Sequence, residues 1–236
     1  MDYIGHYKKD AAEFDYFEER SGATEDDERR AREFILSKVR RNTYKIMDAG
    51  CGSAWAAKAL IPEGKFIVST DISQINVQKA LQKTPSEKHC GVVCDSYSLP
   101  FKNSSFDCII ASEIIEHTVN PGIFVQCLAE AVKPDGKLII STPYKEKIAY
   151  SLCIHCNQKT PHNAHIHSFD ENMLADFGIN AKTKHSRYSL FGNKYLIFGR
   201  TYVILKFFPF SLWKLIDAFF NKTLGKPAHI LIEYFK

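Results

Sequence analysis

The sequence predicts an α/β fold, a mostly parallel sheet flanked by helices, and three observations predict it. From Tyr44 onward, short apolar runs rich in Ile and Val alternate with segments of helical period, the pattern of strand-helix units that build a parallel sheet. The first run ends in a glycine pair, Gly50 and Gly52, which allows a tight turn from strand to helix. The second run ends in an acid, Asp71, where open α/β sheets place ligand-binding groups.

The elements follow in order. Ser21 to Arg41 is charged and ends in an apolar-periodic stretch, Ala31, Phe34, Ile35, Leu36 and Val39, which predicts an amphipathic helix. Strands are expected at 44–48, 65–71, 90–94, 106–111 and 137–141, with helices at 54–60, 75–82 and 123–132 between them. Lys133-Pro134-Asp135-Gly136 has the chemistry of a turn before the fifth strand. Past Pro143 come a Cys/His-rich stretch, a helix near Asp170 to Phe177, an aromatic segment from Tyr188 to Phe220, and a closing strand at His229 to Phe235. This divides one domain into an amino-terminal cap segment (1–29), a ligand-binding core (30–143), and an insertion, cap and closing strands (144–236).

With 236 residues, 45% apolar and 25% charged, the chain can bury a full core, which excludes a disordered or fibrous class. A net charge of +4 without a dense Lys/Arg stripe argues against nucleic-acid recognition as the main role. Residues 1–10 carry early charges and no apolar h-region, so the expected location is the cytoplasm. Five of the seven cysteines (Cys51, Cys90, Cys94, Cys108 and Cys127) are scattered singly and read as free thiols.

Four strand-end loops carry polar or glycine signals. They are Asp48-Ala49-Gly50-Cys51-Gly52, then Asp71-Ile72, then Cys94-Asp95-Ser96, and finally Ser112-Glu113-Ile114-Ile115-Glu116-His117. A dinucleotide-binding loop would carry a third glycine, and Trp55 stands there instead. The segments Asp48-x-Gly50-x-Gly52, Ser69-Thr70-Asp71, Cys94-Asp95, Phe106-Asp107-Cys108-Ile109-Ile110 and Lys133 to Leu138 together resemble the Rossmann-like class I S-adenosylmethionine-dependent methyltransferases. The resemblance implies that Asp48, Gly50, Cys51 and Gly52 hold the amino-acid part of S-adenosyl-L-methionine, that Asp71 with Ile72 holds the ribose, and that Asp95 with Ser96 meets the adenine. It also implies that Ser112 lines the same cleft and that the sheet is a Rossmann-like one of seven strands.

The resemblance also implies methyl transfer to a small-molecule or lipid-linked acceptor, most simply at oxygen. The alternative is a zinc-stabilised binding module that keeps the cofactor fold without catalysis. Glu113-x-x-Glu116-His117 puts three ligand-capable side chains on one face if helical. It resembles the E-x-x-E-H segment of the ubiquinone-biosynthesis O-methyltransferases, where a divalent metal is associated with it. His117 is expected in the cofactor or acceptor cleft, and His165 is a second candidate base. Cys153 and Cys156 form a C-x-x-C and His162, His165 and His167 follow; Cys153, Cys156, His165 and His167 predict a structural zinc site, with His162 as alternate ligand. Tyr202 to Phe220 is interrupted by Lys206, Pro209, Lys214 and Asp217, which predicts a cap helix over the acceptor pocket or an interfacial helix, not a membrane span.

Overall fold

The computed structural model describes residues 2–236. Two helices, α1 (Tyr3–Glu13) and α2 (Gly22–Leu36), precede a regular alternation: β1 (Lys45–Ala49), α3 (Trp55–Leu60), β2 (Phe66–Asp71), α4 (Gln74–Lys83), β3 (His89–Val93), β4 (Phe106–Ser112), α5 (Pro121–Ala131) and β5 (Val132–Pro143). A two-stranded hairpin of β6 (Tyr150–Leu152) and β7 (Lys159–Pro161) follows, then α6 (Glu171–Asn180), β8 (His185–Asn193), α7 (Lys194–Phe198), α8 (Tyr202–Leu205), α9 (Phe210–Thr223) and β9 (Pro227–Phe235). The main sheet has seven strands in the order β3-β2-β1-β4-β5-β9-β8. The first five pair in parallel, and β9 runs antiparallel between β5 and β8.

Period-two alternation divides the core between the two faces of the sheet. Met47, Val68 and Ile109 pack on one face with Phe124, Leu128 and Leu174. Ile46, Ile67 and Ile110 pack on the other with Phe34, Leu60 and Trp213. Each such side chain taken wholly out of water contributes about 1.5–3 kcal/mol.

Two features differ from the sequence expectation. The turn 133–136 lies inside β5: Val132 pairs with Phe106 and Lys137 with Cys108, and the residues between form a bulge. Gly136 is required there, because a Cβ would lie 2.8 Å from the Asp107 carbonyl. The second is β8, whose start, His-Ser-Arg-Tyr, is polar and exposed. As an edge strand it needs apolar residues only where Phe191 enters the core, so alternation does not reveal it.

The parallel strands all end at one edge of the sheet. His229 of β9 pairs with Pro143 at the end of β5 and with Phe191 near the end of β8, so the β8-β9 connection containing α7 to α9 leaves from that same edge. It packs on α2 and β8: Arg30 donates to the carbonyls of Leu205 and Phe208, and Asp217 accepts from the amides of Gly192 and Asn193. Over the predicted cleft it is α1 that makes contact, through Tyr3 and Tyr7.

Candidate active site

The loop after β1 is built for close approach. Gly50 has φ +66°, a left-handed conformation that strains any residue with a Cβ, and it packs against the Ile114 side chain of the β4 loop. The Cys51 amide donates to the Thr70 carbonyl (2.9 Å) and its side chain is buried. Trp55, at the missing third glycine, opens α3 and packs half-buried against the core.

Asp48 is fully buried, and its Oδ2 has no hydrogen-bond partner. Burial, with the neighbouring Asp71 charge, pushes its carboxyl up to about 8. Asp71 closes β2; its Oδ1 accepts from the Ser73 amide, which leads on from Ile72, and its Oδ2 accepts from Gly52 N and Asn76 Nδ2, both at 3.3 Å. Asp95 follows β3 and Cys94 and precedes Ser96; it accepts from the Tyr97 amide and from the hydroxyl of Tyr3 on α1. Ser112 ends β4 and accepts from Ser141 Oγ at 3.1 Å.

Helix α1 lies across these loops. Tyr3 reaches Asp95, and Tyr7 donates to the His117 carbonyl at 3.4 Å with its ring edge-on to the imidazole. The two tyrosines are one turn apart, a rise of about 6 Å, so the expected adenine end and the His117 loop lie side by side. Tyr16 sits beside Gly52.

Beyond β4, Ile115 to His117 form a 3-10 turn. The Glu116 carbonyl accepts from the amides of Ile166 and His167, which stitches the segment after the hairpin onto this turn. Glu116 is buried, its Oε2 accepting from Thr142 Oγ1 (3.0 Å) while Oε1 has no partner. Burial and the charge of Glu113 raise its carboxyl well above the usual range. His117 is lowered to about 4 by burial and then by His165, whose ring stands 4.8 Å away. His165 Nδ1 lies 2.6 Å from Glu146 Oε2.

Glu116, His117 and His165 each offer a ligand atom, all within 4.8 Å of one another; among the described residues this is the one group of three or more metal-ligating side chains. It differs from both sequence expectations. Glu113 takes a left-handed conformation (φ +51°) and turns its Oε1 to His229 Nδ1 at 3.7 Å, so it does not share a face with Glu116. His229 is held from the other side by Asp27 at 3.2 Å.

The structure also does not bring the expected zinc ligands Cys153, Cys156, His165 and His167 together. The cysteines sit at the tip of the β6-β7 hairpin, where the Asn157 amide donates to the Cys153 carbonyl. His165 is drawn to Glu146, and His167 packs against Phe169 with its amide bonded to Glu116. The alternate His162 bonds Ser151 Oγ through Nε2. Glu146 and Thr142 were not singled out in the sequence, although Thr142 lies at the end of β5 and Glu146 just beyond it, where ligand groups are expected; Tyr3 and Tyr7 read there only as amino-terminal aromatics that suit a bulky or apolar acceptor.

Comparison with known proteins agrees with this fold. The family model described as "Methyltransferase domain" matches residues 47–140. The ubiquinone biosynthesis O-methyltransferase of Rickettsia canadensis is 31% identical over 169 residues, 64% of this chain and 70% of that protein. The mitochondrial ubiquinone biosynthesis O-methyltransferase of Bos taurus is 30% identical over 122 residues, 47% of this chain, and the match spans 31% of the bovine protein's length. An S-adenosylmethionine-dependent methyltransferase from Mesorhizobium loti superposes with a TM-score of 0.61 at 13% identity, covering 88% of this chain and 98% of that one. The chain belongs to the class I S-adenosylmethionine-dependent methyltransferases.

Proposed function

We propose that the chain methylates an oxygen of a small-molecule or lipid-linked acceptor, with S-adenosyl-L-methionine as donor. The observation that carries the reading is the juxtaposition, under α1, of the Gly50, Asp71 and Asp95 loops with the pair Glu146–His165. The donor fits these residues: the partnerless Oδ2 of Asp48 and the carboxylate of Asp71 suit an ammonium group and ribose hydroxyls, and Asp95 suits an amino group that shares or replaces Tyr3. When bound, the donor supplies a methyl carbon on a sulfonium, already activated for in-line displacement.

The protein's own part is positioning and proton removal. With Nδ1 donating to Glu146, His165 presents the lone pair of Nε2. It would take the proton of the acceptor's hydroxyl as that oxygen receives the donor's methyl group, and Glu146 would balance the imidazolium. His117, held neutral by burial, forms the adjoining wall. Binding of S-adenosylmethionine measured by calorimetry, and transfer of its labelled methyl group to a panel of catechols and other hydroxyl acceptors, test the proposal. Asp71→Ala should weaken donor binding by about 1–3 kcal/mol; unchanged affinity would remove Asp71 from the site, and binding without turnover on any acceptor would favour the non-catalytic binding module.

One observation favours a divalent cation in the same cluster. Glu116 Oε1 is buried without a partner beside the nitrogens of His117 and His165, and a cation there would ionise Glu116 and polarise an acceptor oxygen. The set is Glu116, His117 and His165, with Glu113 outside it. Manganese or zinc titration of wild type against Glu116→Gln, read by calorimetry, separates a bound cation from a purely organic base.

A further inference from the structure

Helices α7 to α9 present a surface that neither the cofactor loops nor the acid-base cluster uses. It is firmly held from below: the Arg30 guanidinium donates to two carbonyls of the 205–208 turn and stacks on Trp213 at 5.3 Å, while Asp217 accepts two backbone amides of the β8 end. Outward, α9 shows Leu212, Leu215 and Phe219, an i, i+3, i+7 stripe. Beside it stand Phe198, Val203, Ile204 and Phe207, with Phe198 82% and Phe207 77% exposed. A packed core helix turns such residues inward, whereas here the inner face is already filled by Trp213 and Asp217.

The charges of this segment are one-sided. Between Lys194 and Lys226 there are six cations, Lys194, Arg200, Lys206, Lys214, Lys222 and Lys226, against the single acid Asp217. Asp217 is buried, so within the segment no exposed carboxylate offsets them, although Glu25 and Asp26 of α2 line a groove with Lys206 and Phe207; the segment's excess is larger than the +4 of the whole chain. Lys206 lies over the Phe207 ring at 5.1 Å and Lys226 over the Tyr195 ring at 5.7 Å, interleaving cations with exposed aromatics. Among the described residues no helix is long and apolar enough to cross a membrane.

From this we infer that the outer face of α7 to α9 docks on an anionic lipid surface, its apolar side chains entering the headgroup region and its cations meeting lipid phosphates. A second copy of the chain fits poorly, because a two-fold contact would set this basic surface against itself. The inference goes beyond the proposed reaction and extends its lipid-linked acceptor: a docked enzyme draws its acceptor from the membrane.

Co-sedimentation of the full chain with vesicles of phosphatidylcholine alone, or of phosphatidylcholine with an equal part of phosphatidylglycerol, tests the inference. Only the anionic vesicles should carry the protein down, and salt should reverse the effect. The exposed triple variant Phe207→Ser, Leu215→Ser, Phe219→Ser, and separately the pair Lys206→Glu, Lys222→Glu, should each lower binding at least about tenfold. Circular dichroism should stay unchanged, as should turnover on a soluble catechol. Sedimentation with neither vesicle, or equally with both and untouched by charge reversal, overturns the inference. So does a concentration-dependent doubling of mass that the serine variant abolishes, since that assigns the face to a second copy. Vesicle binding without methyl transfer leaves this inference standing and removes the proposed reaction; transfer without vesicle binding does the reverse.

Discussion

Two regions carry metal-ligating residue types at short spacing, and the fold treats them differently. Glu116 and His117 lie on a turn at the end of β4, where the segment 165–167 is hydrogen-bonded onto them and Thr142 and Glu146 approach from the end of β5. Cys153 and Cys156 lie at the tip of a hairpin whose strands are exposed and pair only with each other. The first region gathers groups from three stretches of chain. The second keeps its ligands local, though hydrogen bonds from the Cys156 amide, then the His155 amide and the Cys156 side chain, lower the pKa of the Cys153 thiol. Spacing proposes ligands; topology decides whether they meet.

If the first region is the reacting centre, His165→Ala should reduce methyl transfer by about 10²–10⁴-fold, the range for losing a positioned base. Donor affinity should stay within about a factor of two, because no cofactor loop contains this residue. Glu146→Gln should reproduce part of the loss and move the pH–rate profile, since the amide still accepts at Nδ1 but carries no charge to balance the imidazolium. Single-turnover rates alongside calorimetry separate the two effects. A His165 variant with full activity would leave the Glu146–His165 pair as packing alone.

Beneath that centre, His229 is clamped between Glu113 and Asp27. Burial alone would lower its pKa, but attraction to Glu113 and the bond to Asp27 outweigh burial and raise it from 6.5 to about 10. The folded state therefore binds this proton more tightly than the unfolded chain. Its stabilisation is complete below about pH 6.5 and is lost as pH rises through about 10, with a total on the order of a few kcal/mol. Urea midpoints of wild type should fall across that window and those of His229→Gln should fall less; parallel curves would mean that His229 is not charged in the folded protein.

The parallel half of the fold was legible because its signal is local. Each strand from Lys45 to Pro143 is an apolar run ended by a glycine, an acid or a turn, and neighbours in sequence become neighbours in the sheet except where β4 crosses back to pair with β1. The places of Gly50, Asp71 and Asp95 after the ends of β1, β2 and β3 were legible for the same reason. Glu146 was not: it lies in irregular chain, and its partner His165 is nineteen residues on, across the hairpin. Tyr3 and Tyr7 reach Asp95 and His117 over sequence separations of 92 and 110, and no periodicity encodes such a contact. The zinc expectation read a local pattern as a closed site, and the structure does not assemble that site: His165 bonds Glu146, and the His167 amide bonds the Glu116 carbonyl.

The hairpin itself gives the weakest effect, and its weakness is informative. Replacing both Cys153 and Cys156 by Ser removes two side chains from an exposed turn whose backbone bonds, Cys153 N to Gln158 O and Asn157 N to Cys153 O, survive the change. Stability should then move by no more than about 0.5 kcal/mol, as for surface positions without a buried partner, and methyl transfer should be unaffected. A structural zinc site behaves otherwise, because metal binding is folding free energy and its ligands cannot be removed without loss. Thermal melts of wild type and the double variant, each with and without a chelator, therefore distinguish a free-standing hairpin from a metal-closed one: four coincident melts leave the Glu116–His117–His165 cluster as the assembled metal-capable group, and a chelator-sensitive drop confined to wild type would put a metal on the cysteines.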